Sequence, residues 1–168
     1  MADPSPIEMS VSVEGIQSLG RALSAEADGK ALRKELAANL RAALNPAADM
    51  AKSGIMSMRS DHGAGGGPGL RQAIAKKIRP EVKLGGRWTG ARVKAKKTQN
   101  IRGFPNAPKR TQKIGGFRTT DWNGNWRVQV GKFDWFDRAM AGRNETYKRA
   151  VHEAMEAMAQ RIADRAGE

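Results

Sequence analysis

The sequence predicts an α+β fold, a small antiparallel sheet with one long helix before it and one after it. Three observations carry this. Leu32, Leu36, Leu40 and Leu44 recur every four residues, one stripe of a long helix. Tyr147, Val151, Met155, Met158 and Ile162 form the same kind of stripe near the end of the chain. Between them and at the start, short stretches alternate apolar with polar residues, the period of a strand with one buried face. The two helices together supply most of the apolar surface that could cover such a sheet.

The elements follow in order. Met9, Val11 and Val13 alternate with Glu8, Ser10, Ser12 and Glu14, a first strand ended by Gly15. Ile16, Leu19 and Leu23 step by three and four, a short amphipathic helix broken at Asp28-Gly29. The long helix starts at Lys30, and its apolar pattern continues through Ala47, Ala51, Ile55 and Met58. Pro46 lies inside it and removes one backbone hydrogen bond, which predicts a kink or a split. A glycine-rich loop spans 60–69, and Leu70, Ala73, Ile74 and Ile78 give a turn or two of helix. Val82 and Leu84 run up to Gly85-Gly86, and Ala91, Val93 and Ala95 alternate with Arg92, Lys94 and Lys96. That pattern predicts a hairpin of 78–84 with 91–97, one face of its second strand basic. Residues 98–124 have prolines, glycines and little periodicity, and are expected to form a long projecting loop. Trp126, Val128 and Val130 mark another strand, and the closing helix is expected over 143–166.

The chain has 168 residues, a length that suits one domain, and a formal net charge of +13. That charge is concentrated. Residues 59–118 hold 16 basic and two acidic residues, a net of +14, and the remainder sums to −1. One basic segment in a near-neutral protein implies a polyanion or the acidic face of a neighbouring subunit. The absence of cysteine excludes disulfides, thiol catalysis and cysteine-ligated metals. The two histidines, His62 and His152, are far apart in sequence and do not suggest a zinc or iron site. No apolar run approaches the roughly 18 residues of a membrane helix. The first residues have neither the basic start nor the apolar stretch of a signal peptide, so synthesis and use without a secretory route are expected.

No enzyme signature emerges, and no catalytic residue, metal ligand or cofactor is assigned. The glycine run follows a helix and leads to Leu70-Arg71-Gln72, so it lacks the context of a phosphate-binding loop. His152 beside Glu153 reads as a solvated helix residue. Asp134 and Asp137, flanking Trp135-Phe136, read as capping the turn into a helix. The strongest signal is the run Arg87, Arg92, Lys94, Lys96, Lys97, Arg102, Lys109, Arg110, Lys113 and Arg118, whose charge density could neutralise phosphates. Trp88, Phe104 and Phe117 are interleaved with it and could stack on bases, although anchoring the loop on the domain or a neighbour is the more economical role. Trp122, Trp126, Trp135 and Phe136 are further candidates for subunit-interface or anchoring contacts, with Trp122-Asn123-Gly124-Asn125-Trp126 a tight turn beside an aromatic core.

The order of these residues resembles a family. Gly116-Phe117-Arg118, a glycine-containing turn, Trp126-x-Val128-Gln129, then Trp135-Phe136 and a closing helix are similar to the tail-completion, neck or head-to-tail connector proteins of long-tailed bacteriophages. Upstream, Gly69-Leu70-Arg71-x-Ala73-Ile74 after an Ala/Leu-rich helix also resembles them. Thr119-Thr120 stand where His-Pro is common in the family, and Asp134 where Pro is common. The resemblance implies a non-catalytic virion subunit, made in the host cytoplasm, that assembles into a ring, usually a hexamer. Such a ring meets the tail tube on one side and connector or stopper proteins on the other, leaving a channel for DNA. The alternative from charge alone is a small nucleic-acid-binding protein that uses residues 87–118 as a nonspecific phosphate-contact surface.

Overall fold

A computed structural model describes residues 7–11, 15–58, 69–100, 105–120, 123–129 and 131–166. The fold is α+β. Its elements are β1 (Ile7–Val11), α1 (Ile16–Ala25), α2 (Gly29–Met56), α3 (Gly69–Ala75), β2 (Ile78–Leu84), β3 (Thr89–Ala95), α4 (Ala107–Thr111), β4 (Phe117–Thr120), β5 (Trp126–Gln129), α5 (Trp135–Met140) and α6 (Asn144–Ala166). A three-stranded antiparallel sheet has the order β1-β3-β2, and β4 and β5 form a separate two-stranded sheet.

The residues gather into two compact units that interleave along the chain. One unit comprises Met1–Glu8, Ala47–Arg79 and Lys94–Ala141, and the other Met9–Pro46, Pro80–Val93 and Gly142–Glu168. The α2 helix contributes to both, and Pro46 is where the chain passes from the second unit to the first.

The second unit is built from the two predicted stripes. Leu32, Leu36, Leu40 and Leu44 of α2 are all buried, as are Tyr147, Val151, Met155 and Met158 of α6. Ile16 and Leu23 add the buried face of α1, which packs against α6. Val82, Ala91 and Val93 supply the strand side of this core. Each fully buried Leu or Met contributes about 1.5–3 kcal/mol relative to exposure, so the stripes account for most of the drive to fold here.

Pro46 does not split the long helix, which runs unbroken from Gly29 to Met56. Without an N–H, Pro46 leaves the Ala42 carbonyl unserved within the helix. Both residues are exposed, so water can take the vacant position and the loss is tolerated. At the other end of α2, Arg71 donates from Nη1 to the carbonyls of Met56 (3.2 Å) and Met58 (2.9 Å). This closes carbonyls that the helix itself cannot satisfy.

The first unit required the main correction. Residues 98–124 were expected to project as a loop, yet their described part contains α4 and β4 and is packed down. Thr98 is buried, and its Oγ1 accepts the Ala107 N–H at 3.0 Å, where α4 starts. Thr111, fully buried, donates to the Ala107 carbonyl at 2.9 Å and accepts the Trp135 indole N–H at 3.1 Å. Gly131 passes so close to the Thr111 carbonyl that a Cβ there would collide with it. Asp134 does occupy the N-cap position of α5, but its backbone is left-handed (φ 50°) and its side chain makes no capping bond. Gln112 performs that task instead. Its Oε1 accepts the Phe136 N–H (3.1 Å), and its Nε2 donates to Asp137 Oδ2 (2.9 Å).

Boundaries elsewhere shift by one or two residues. The β2 strand runs over 78–84 as expected, but β3 starts at 89 rather than 91 and ends at 95. The α6 helix starts one residue late, and β1 starts at 7, with residues 12–14 of the expected first strand outside the described residues.

Candidate interaction surface

The basic run is divided between the two units. Arg87 and Arg92 belong to the second unit, and Lys94, Lys96, Lys97, Lys109, Arg110, Lys113 and Arg118 to the first. Arg102, Phe104 and Trp122 lie outside the described residues, as do His62 and all of the 60–69 loop except Gly69, which opens α3.

Strand β3 has the expected alternation, with Ala91, Val93 and Ala95 fully buried and Arg92 and Lys94 half-buried on the other face. These two cations are already matched. Arg92 Nε and Nη2 approach Glu81 Oε2 at 2.7 and 2.6 Å, and its guanidinium sits 4.0 Å above the Trp88 ring. A charge-assisted pair with a stacked aromatic holds the guanidinium in place, so Trp88 serves as a platform for Arg92. Lys94 Nζ lies 3.9 Å from Glu8 Oε2. Arg87, Lys97, Lys113 and Arg118 are exposed, and Lys96, Lys109 and Arg110 half-buried.

The aromatic residues separate into two groups. Trp135 and Phe136 are 1% exposed and meet edge to face, ring centroids 5.6 Å apart. Phe117 is buried as well. These three anchor the segment from within the first unit. Trp126 is the opposite case. The sequence places it in a tight turn beside an aromatic core, yet 59% of it is exposed.

The β4–β5 register explains the difference. Phe117 pairs with Gln129, Arg118 with Val128, Thr119 with Arg127 and Thr120 with Trp126, all antiparallel. Directly paired residues share a face and successive residues alternate. Phe117 therefore faces the core, while Arg118, Thr120, Trp126 and Val128 share the outward face. Val128 is 66% exposed, and Ile114, three residues before the hairpin, is 76% exposed. Two large apolar side chains adjacent on one strand face, with a cation beside them, form the kind of patch that marks a binding surface.

At the start of α5, the Asp137 carboxyl titrates above its ordinary value, first because burial disfavours its charge and then because Asp134 is close. On α6, His152 is exposed with Nδ1 3.2 Å from Glu156 Oε1, a solvated helix pair. No group of three or more acidic or histidine residues among the described residues is placed to hold a metal. No helix there is long and apolar enough to cross a membrane.

The residues that sequence reading missed are polar ones whose partners are remote. Arg71, Thr111 and Gln112 carry no periodic signal; only their tertiary partners give them a role. Arg21, Arg33 and Lys83 form a second concentration of charge that the basic window did not isolate. No family model matches the chain, and no curated protein and no solved structure is significantly similar to it.

Proposed function

We propose that this chain is a structural subunit of the head–tail junction of a long-tailed bacteriophage, one member of a ring that joins the tail tube to the head connector and leaves a channel for DNA. The observation that carries this reading is the outward face of the β4–β5 hairpin, where Trp126 and Val128 stand in solvent beside Arg118. An assembly subunit needs apolar surface that is covered only after assembly. The short motifs that resemble the phage family, at 69–74, 116–118, 126–129 and 135–136, fall in the first unit, with Phe117, Trp135 and Phe136 inside and Trp126 and Val128 outside, while the closing helix belongs to the second. The reading requires no catalysis and no cofactor, and its location is the virion.

The nucleic-acid alternative draws on Arg87, Lys97, Lys113 and Arg118, exposed within 87–118. It is weakened because Arg92 and Lys94 already face carboxylates. Free binding to DNA through this surface would be tight at low salt and fall steeply with added salt.

The test is electron microscopy of the protein alone and mixed with purified tails. Rings, or caps on tail ends, are expected. In the variant Trp126→Ser/Val128→Ser, folding stability should stay within about 0.5 kcal/mol, because the replaced groups are exposed, while capping is lost. Mass spectrometry that finds the chain absent from virions would overturn the proposal.

A further inference from the structure

The second unit contains a cleft of about 610 Å³ between one face of α1, the side of α2 and the turn after β2. Gly20, Arg21 and Ser24 line it from α1, Arg33 from α2, and Lys83, Gly85 and Gly86 from the end of β2 and its turn. Three cations therefore converge on one cleft, and none of its lining residues is acidic. Such a grouping is electrostatically unfavourable unless an anion joins it.

Nearby carboxylates are committed elsewhere. Glu81 pairs with Arg92, Glu35 with Arg161 and Asp28 with Arg165. Glu26, at the C-cap of α1, does not line the cleft. Arg33 is held by neutral acceptors only among the described residues: Nη1 donates to Ser24 Oγ at 3.1 Å and Nη2 to the Leu84 carbonyl at 3.0 Å. Ser24 in turn donates to the Gly20 carbonyl at 2.8 Å, which leaves its lone pairs for Arg33. The guanidinium is thus fixed without losing its charge. Arg21 and Lys83 have no ion-pair or hydrogen-bond partner among the described residues. Gly20 matters too. The Leu84 carbonyl lies 3.1 Å from where a Gly20 Cβ would stand, so a larger residue there would crowd the carbonyl that holds Arg33.

We infer that this cleft is a binding site for a phosphate oxyanion, with Arg33 as the preorganised donor and Arg21 and Lys83 as mobile cations that close on it. A guanidinium presents parallel N–H donors suited to phosphate oxygens, and its fixed position reduces the entropy lost on binding. The lining offers little apolar surface, so it grips the phosphate group while the remainder of the ligand stays in solvent. A phosphodiester of nucleic acid and a free phosphate or phosphomonoester share this chemistry. The inference does not depend on the phage reading.

The test is NMR titration of the full chain with inorganic phosphate at constant ionic strength, then with a short DNA duplex. Saturable shifts of the Gly85 and Gly86 amides and the Arg33 Nε–H are expected with phosphate. In Arg21→Ala/Lys83→Ala, which removes exposed side chains only, the phosphate Kd should rise by about tenfold or more while the spectrum stays dispersed. If the duplex shifts the same resonances and phosphate displaces it, the source is a nucleic-acid backbone. If only phosphate shifts them, the source is a soluble phosphate. The inference is overturned if no saturable shift occurs at these residues, or if acetate binds equally well, which would make the cleft a carboxylate dock for a protein segment. It is equally overturned if the double variant binds phosphate like the parent.

Discussion

Replacing Thr111 by Val tests whether the basic segment is tied to the aromatic core. The substitution keeps the shape of the side chain and removes only its hydroxyl. In the native protein that hydroxyl accepts the Trp135 indole N–H at 3.1 Å, and both residues are essentially without solvent contact. Val therefore leaves a buried donor with no acceptor, a cost of about 1–3 kcal/mol. For a chain of this size each kcal/mol moves Tm by about 2–4 °C, so a central cost of about 2 kcal/mol predicts a loss of about 4–8 °C. Urea unfolding followed by circular dichroism and tryptophan fluorescence measures it. Thr111→Ser keeps the hydroxyl and loses one methyl, which should cost only about 1 kcal/mol. Trp135→Phe should be less costly in the Val background than in the parent, since the two changes remove the same bond. Val at parental stability, or Ser more damaging than Val, would refute the idea that this hydrogen bond anchors α4.

Two further outcomes follow from the same structure. Leu36→Asp places a carboxylate at a fully buried position of the α2 stripe and should unfold the second unit, as should Met155→Asp on α6; a folded Leu36→Asp protein by circular dichroism would show the helix phase to be wrong. Asp137 has a native pKa raised above its ordinary value of 3.8, by burial first and Asp134 second, so the folded state binds its proton more tightly than the unfolded state. Its contribution is fully present below pH 3.8 and is lost as pH rises through the raised native value. Asp137→Asn should therefore gain stability relative to the parent at pH 7 compared with pH 3, and an equal difference at both pH values would count against the shift.

Much of the second unit is legible in the sequence because its signals are local. A helix repeats every 3.6 residues, so Leu32, Leu36, Leu40 and Leu44 must share a face, and burying that face is the only way to shield it. The same holds for α6, and for the alternation of Ala91, Val93 and Ala95 in β3. The first unit was less legible. The α4 helix has five residues and no stripe; what holds it comes from elsewhere in the chain, Thr98 accepting its first N–H and Trp135 donating to its Thr111 hydroxyl. Asp134 looked like a cap, but its left-handed backbone leaves the task to Gln112.

The sequence by itself determined the α+β class, the two long helices, the β2–β3 hairpin and the concentration of charge in residues 59–118, all of which depend on spacing along the chain. Tertiary structure decided which of those features are available to a partner. Trp126 and Trp135 are both tryptophans in the same aromatic run, yet strand register turns one to solvent and packing under Thr111 buries the other. Arg92 and Lys94 looked free until Glu81 and Glu8 met them across strands, and Arg21, Arg33 and Lys83 looked unremarkable until three elements brought them into one cleft. The physical reason is the same throughout. Burial follows from local periodicity, but the neutralisation of a charge or the exposure of a ring depends on neighbours that only the folded chain supplies.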